Sequence, residues 1–171
     1  MFLRQANIQD ISSIMEIEKQ AFTLSIQEKQ ETFLRRIQTF PQGFLLFFIE
    51  PNSAPLGYVA SELWSSYTIP HSFTLEHSAS KSHSTNGSIL YISSFGLLSN
   101  CQGKGWGKLF FQEAISSIIS ANNQISTIVL LVNENWLGAR HIYKSLGFTE
   151  THIIPHFFPT LEAGIIMEKK L

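Results

Sequence analysis

The chain has little cysteine: Cys101 is the only one in 171 residues. A single thiol cannot close an internal disulfide, so the fold must be held by its core, and a reducing compartment suits it. Charge is also sparse and balanced, with 12 basic against 13 acidic side chains and a formal net charge of −1. A nucleic-acid partner needs a strongly basic face and an anionic membrane surface needs a polybasic cluster. Neither is present, so no nucleic acid and no membrane are expected as partners. Long hydrophobic runs are missing too. The longest, residues 44–49, falls well short of the roughly 20 that cross a bilayer. The opening MFLRQANIQD lacks the apolar stretch of a secretory signal. A cytoplasmic protein is the expectation.

What is present is ordinary apolar content, 44% of residues, enough for one well-cored domain over residues 2–171. FLRQA at 2–6 reads as a short strand. Asn7, with Asp10 three residues on, reads as the cap of a helix carrying Ile8, Ile11, Ile14, Met15, Ala21 and Phe22. Ser25 and Glu28 form the pattern of a capping box that opens a second helix, stopped by Pro41. GFLLFFIE at 43–50 and LGYVASELW at 56–64 predict a strand hairpin. Residues 68–88, with six serines and three histidines, predict a long binding loop or lid. Beyond it the spacing predicts a strand at 89–98, a helix at 108–120, a strand at 125–133 and a helix at 136–146 closed by Gly147. A last pair of strands follows. The class is mixed α/β.

The stretch QGKGWGK at 102–108 joins the strand at 89–98 to the helix after it. It is not a P-loop, because Gln102 stands where the first glycine belongs and Leu109 follows Lys108. The dinucleotide pattern G-x-G-x-x-G fails on spacing as well. The same physics is still available: glycines bring backbone N–H groups close to a ligand, and a helix N-terminus favours a diphosphate. The ordinary alternative is a turn with no ligand.

The run Gln102-Gly-Lys-Gly105-Trp-Gly107 resembles the Q/R-x-x-G-x-G/A motif of the GNAT superfamily of N-acetyltransferases. Ala139-Arg-His-Ile-Tyr143-Lys-Ser-Leu-Gly147-Phe148 resembles that family's A-x-x-x-Y-x-x-x-G-F helix. The element order over residues 2–171 is similar as well. The resemblance implies a twisted, mostly antiparallel sheet of about seven strands flanked by about four helices, with acetyl-CoA as co-substrate and no metal. It implies that Gln102, Gly103, Lys104, Gly105, Trp106, Gly107 and Lys108 hold the pyrophosphate. Phe95, Gly96 and Leu97 would pair with the pantetheine through their backbone, so that glycine in place of the commoner alanine at 96 costs little. Tyr143 would protonate the departing thiolate, although a plain core tyrosine is the ordinary alternative. Trp136 stands where relatives carry an asparagine, and Asn135 either recovers that contact or only caps the helix.

The resemblance leaves the general base open. Tyr91 stands where some relatives carry a base and is not a convincing one itself. Glu62 and water relayed through Tyr91, Ser93 and Ser94 are the candidates, and Glu62 reads more readily as an edge carboxylate facing solvent. His71, His77 and His83 lack metal-ligand spacing and read as solvated loop residues, with a substrate-facing histidine as the alternative. Segments such as IEKQAF and GYVASELW are similar to arylalkylamine N-acetyltransferases, and the tail resembles ribosomal-protein N-terminal acetyltransferases. The expectation is therefore a small amine or polyamine acceptor, on a monomer or homodimer. A protein N-terminus is the alternative acceptor, and a non-catalytic acyl-CoA sensor the alternative class.

Overall fold

The computed structural model describes residues 2–51 and 53–171. Strand β1 (Phe2–Gln5) is followed by helices α1 (Ile11–Ala21) and α2 (Gln30–Thr39), then by strands β2 (Phe44–Phe48) and β3 (Gly57–Trp64). A short helix α3 (Ala79–Ser82) leads to β4 (Ile89–Leu97), α4 (Trp106–Ala121), β5 (Thr127–Asn133), α5 (Leu137–Ser145), β6 (Thr149–Ile154) and β7 (Gly164–Lys170). The seven strands form one sheet in the order β1-β2-β3-β4-β5-β7-β6, antiparallel except where β4 runs parallel to β5. The fifth helix, α3, lies inside the segment that the sequence marks as a loop.

Strand β2 is apolar at every position because both of its faces are covered. Phe44, Leu46 and Phe48 pack with Ile14, Ile17, Phe33 and Ile37 of α1 and α2. Leu45 and Phe47 pack on the opposite face with Phe110, Phe111 and Ala114 of α4. A strand buried on both sides loses the usual period of two, which is why the run reads as continuous. A third cluster, Trp64, Phe73, Tyr91, Val129 and Ile166, anchors the 65–88 segment onto the sheet.

The first helix starts as its sequence predicts. Asn7 accepts from the Gln9 N–H at 2.8 Å and Asp10 accepts from the Asn7 N–H at 2.8 Å, opening a short 3-10 turn that runs into α1. The second does not. Residues 25–28 stay outside α2, which begins at Gln30. The Glu28 carboxylate, needed for the expected box, is taken instead by the Arg36 guanidinium at 2.5 and 2.6 Å. A charge-assisted bidentate pair outweighs a cap bond.

Gly96 also has a different reason from the one expected. A Cβ there would meet Cε1 and Cζ of Tyr58 at 2.7 and 3.0 Å. Tyr58 is fully buried on β3 with its hydroxyl fixed at both sides, so the ring cannot retreat. Gly96→Ala is therefore expected to cost about 1–3 kcal/mol, as overpacking does. Urea unfolding checks this, and a change below about 0.5 kcal/mol would show the ring to be free to shift.

Candidate active site

Strands β4 and β5 pair only through residues 89–92 and 127–130. A bulge leaves Ser93 without a partner on β3, and from there β4 turns away while β5 continues along β7. The strands open into a cavity of about 870 Å³.

At one end of the cavity lies the glycine turn. Gly103 and Gly105 have φ of +72° and +80°, with nothing within 4 Å of where a Cβ would stand. They are required by backbone conformation alone. Gly107 is required by space: a Cβ there would sit 3.1 Å from Leu97 and 3.4 Å from Ile142. Gly105 is the N-terminal residue flanking α4, so the free N–H groups of its first turn, at the positive end of the 16-residue helix, open beside the cavity.

Gln102, Gly103, Gly105, Gly107 and Lys108 line the wall, as do Phe95 and Leu97 of β4. Lys104 and Trp106 lie off it. The ammonium of Lys104 sits over the Trp106 ring at 5.6 Å, and Trp106 packs edge-on to Phe47. Gly96 also lies off the wall. Asn135 is on the wall and does not cap α5, whose flanking residue is Trp136 with no side-chain cap bond.

Tyr143 of α5 is buried on the same wall. Its hydroxyl is bonded to no described residue, and burial pushes its phenol above the usual value. It stays a neutral donor, free to meet a ligand.

The opposite end is polar and is built from α1, α2, β3 and the 65–88 segment. Glu18 lies on the buried face of α1 with Ile14 and Ile17. Its Oε1 accepts from the Glu28 N–H at 2.8 Å, and its Oε2 accepts from the Tyr58 hydroxyl, which is 2.9 Å from Ser94 Oγ. Burial outweighs these donors and pushes the carboxyl up to about 7. Arg36 is sealed below, with its Nε unpartnered.

Glu62 does not line the cavity. It is 1% exposed, hydrogen-bonded to His77 Nε2 and, at 2.7 Å, to Ser82 Oγ. Burial pushes its carboxyl up, but the His77 and Ser82 bonds outweigh it and hold the group below its ordinary value. It is no edge carboxylate, and it faces the cavity only through His77, which is on the wall.

Tyr91 is on the wall too, stacked on Trp64 at 4.0 Å, and burial raises its phenol above the usual value. A phenol kept neutral in this way donates a hydrogen bond rather than accepting a proton.

Sequence reasoning passed over Glu18 and Arg36, and it read His77 by default as a solvated loop residue. Glu18 had a signal, a carboxylate four residues from Ile14 on an apolar helix face. His77 had none. The other two histidines are apart from it: His71 is exposed, and His83 accepts from the Leu63 N–H at 3.1 Å. Among the described residues no group of side chains could hold a metal ion, and no helix is long and apolar enough to cross a membrane.

Residues 11–148 match the model of the Acetyltransferase (GNAT) family, and the chain belongs to that family. No curated protein matches it in sequence. Among solved structures, it is similar to the loading GNATL domain of CurA from Lyngbya majuscula. That match has a TM-score of 0.84 and 15% identity, covering 99% of this chain and 96% of that one. It is also similar to the GphF GNAT-like decarboxylase in complex with isobutyryl-CoA, with TM-score 0.80, 14% identity and 99% of both chains covered. The ribosomal-protein-S18-alanine N-acetyltransferase from Escherichia coli gives TM-score 0.72 at 16% identity, covering 99% of this chain and 92% of that one. At these identities the likeness is one of fold. Membership of that family makes the protein an acyltransferase.

The raised Glu18 carboxyl has a consequence for stability. Its folded value of about 7 lies above the unfolded one near 4.5. Its contribution is therefore complete below about pH 4.5 and is lost as pH rises through 7. The stability of the wild type relative to Glu18→Gln should fall by roughly 3 kcal/mol between pH 4.5 and 8. Urea titrations of both proteins across that range check it, and a pH-independent difference would refute the shift.

Proposed function

We propose that the protein transfers an acetyl group from acetyl-CoA to a primary amine of a small molecule, the amine attacking the thioester carbonyl directly in a ternary complex. A single domain, residues 2–171, carries the reaction. The carrying observation is one cavity with a glycine turn and helix N-terminus at one end, a buried polar cluster at the other and the unbonded Tyr143 hydroxyl on its wall.

The backbone N–H groups of 103–108 suit a pyrophosphate, with Lys108 adding charge. The free edge of β4 at Phe95, Gly96 and Leu97 suits the amides of a pantetheine arm, which would add as a strand. Asn135 is within the same wall to take a further amide. The Tyr143 hydroxyl gives its proton to the sulfur as the C–S bond breaks and is reprotonated from solvent.

A small acceptor is favoured by the 65–88 segment, which brings Thr74, Leu75 and His77 onto the wall and is tied to Lys29 by Glu76 at 3.2 Å. A peptide would need a more open groove. The fold shared with the S18-alanine N-acetyltransferase makes a protein N-terminus the second reading.

Calorimetry with CoA and an amine panel assayed by free thiol test the reading, with peptides of free N-terminus included. Tyr143→Phe should lower kcat about 100-fold while CoA affinity stays within twofold. Gly105→Ala should weaken CoA several-fold, since a side chain in the left-handed region costs about 1 kcal/mol. No heat with CoA, or no thiol release with any amine, would overturn the reading.

A further inference from the structure

The 65–88 segment contributes a side-chain cluster to which the acetyl-transfer reading gives no part. His77 packs edge-on to the rings of Trp64 and Tyr91, at 6.2 and 5.5 Å, and this fixes the plane of its imidazole. Behind it stands Glu62, whose Oε1 meets His77 Nε2 while its Oε2 accepts from Ser82 Oγ at 2.7 Å.

The protonation of this pair follows from its chemistry. The Glu62 carboxyl accepts from Ser82 Oγ and lies below its ordinary value, so it is ionised at neutral pH, and an ionised carboxylate only accepts. The hydrogen between the two must therefore be on Nε2. A neutral imidazole with its hydrogen on Nε2 has its lone pair on Nδ1. Nδ1 is bonded to no described residue, and His77 lines the cavity. A purely structural buried histidine is normally satisfied at both nitrogens. Here the donor side is satisfied by Glu62 and the acceptor side has no partner among the described residues, on a ring that lines the cavity.

The other buried carboxylate is differently placed. Glu18 lines the cavity too, but each of its oxygens already accepts from a protein donor, the Glu28 N–H and the Tyr58 hydroxyl. A proton delivered to it competes with those donors for the carboxylate oxygens. His77 takes one on a nitrogen that meets no protein donor.

We infer that His77 is the proton acceptor for the attacking amine, with Glu62 as the positioning residue that fixes its tautomer and steadies the imidazolium. This rests on the acetyl-transfer reading. In the step, the N–H bond of the acceptor breaks and its proton goes to Nδ1. The nitrogen electron pair forms the new bond to the acetyl carbon, and the C–S pair leaves with the sulfur, which takes the Tyr143 proton. The second proton of the nitrogen passes to solvent, and Glu62 stays ionised throughout. The proton on Nδ1 leaves to solvent when the chamber empties.

The experiment has a spectroscopic arm and a kinetic arm. In ¹⁵N-labelled wild type, the neutral His77 ring should show a protonated Nε2 and an unprotonated Nδ1, with His77→Gln assigning the signal. The opposite tautomer would overturn the inference whether or not any amine is a substrate. The kinetic arm compares 2-phenylethylamine, an ammonium ion at neutral pH, with aniline, which is already neutral. If neither is turned over, the fastest alkylamine and arylamine of the panel replace them.

His77→Gln should lower kcat at least 100-fold with the alkylamine and less than tenfold with the arylamine, leaving the KM for acetyl-CoA unchanged. Glu62→Gln should cost 10-fold or more in the same pattern. Glu18→Gln should lose far less than His77→Gln. Equal losses with both amines, or a larger loss in Glu18→Gln, would overturn the assignment. If CoA binds but wild type acetylates no amine, the acetyl-transfer reading falls and takes the proton-acceptor role with it. The tautomer, if observed, still stands as a property of the pair.

Discussion

The structure depends on the parting of β4 from β5. Over residues 89–92 the two strands share parallel ladder bonds, and from the Ser93 bulge onward they do not. Backbone amides that leave a ladder inside a protein must find other partners or lose about 1–3 kcal/mol each. Strand β5 solves this by pairing over its whole length with β7. Strand β4 keeps β3 on one side and leaves its other edge unpaired beyond Ser93, with Phe95 and Leu97 on the cavity wall. An extended amide-bearing ligand is the natural complement to such an edge. The rest of the site is arranged around it: α4 starts at one end of the opening, and Tyr143 stands on the wall between α5 and the free strand.

Bulge, glycine and buried acid form one packing chain. Because Gly96 has no side chain, the Tyr58 ring can lie against β4. With the ring there, its hydroxyl reaches both Ser94 and Glu18. Glu18 in turn holds the Glu28 N–H, and Glu28 holds Arg36. The two buried carboxylates of this region then titrate in opposite directions. Glu62 has donors on both oxygens, one of them a basic imidazole, and is held low. Glu18 also has donors on both oxygens, but the Glu28 carboxylate beside it repels its charge, and the nearby guanidinium has both terminal nitrogens on Glu28. Burial therefore prevails at Glu18 and not at Glu62.

How much of this could be read in the sequence follows from how local each device is. The glycine turn and the Tyr143 helix are set by spacings of a few residues, and their geometry follows from φ angles and one helix face. Six of the seven strands and four helices were legible from periodicity for the same reason, while β2 gave only a continuous apolar run. The box at Ser25 and Glu28 misled because its acid had a stronger partner in Arg36, eight residues on. Gly96 looked neutral because its constraint is a ring on another strand. Glu62 and His77 are fifteen residues apart across a segment with no periodicity, and nothing local marks the histidine that will meet the acid.

This difference in locality also explains why the co-substrate is easier to read than the acceptor. The glycine turn presents main-chain N–H groups, which every residue but proline carries, so the sequence must supply only left-handed glycines and a small residue at 107. Such a requirement leaves a short, fixed pattern. The acceptor end relies on side chains from α1, α2, β3 and the 65–88 segment, each held by a partner distant in the chain. Changing Leu75 or Thr74 on that wall would leave the glycine turn untouched, and changing Gly105 would leave the His77–Glu62 pair untouched. The two halves meet at β4, whose free edge opens on the cavity while its Ser94 hydroxyl reaches the acid network. The acceptor is thus set by residues that can vary without disturbing the cradle. A chain of this family can be recognised by one half of its site while its specificity is written in the other.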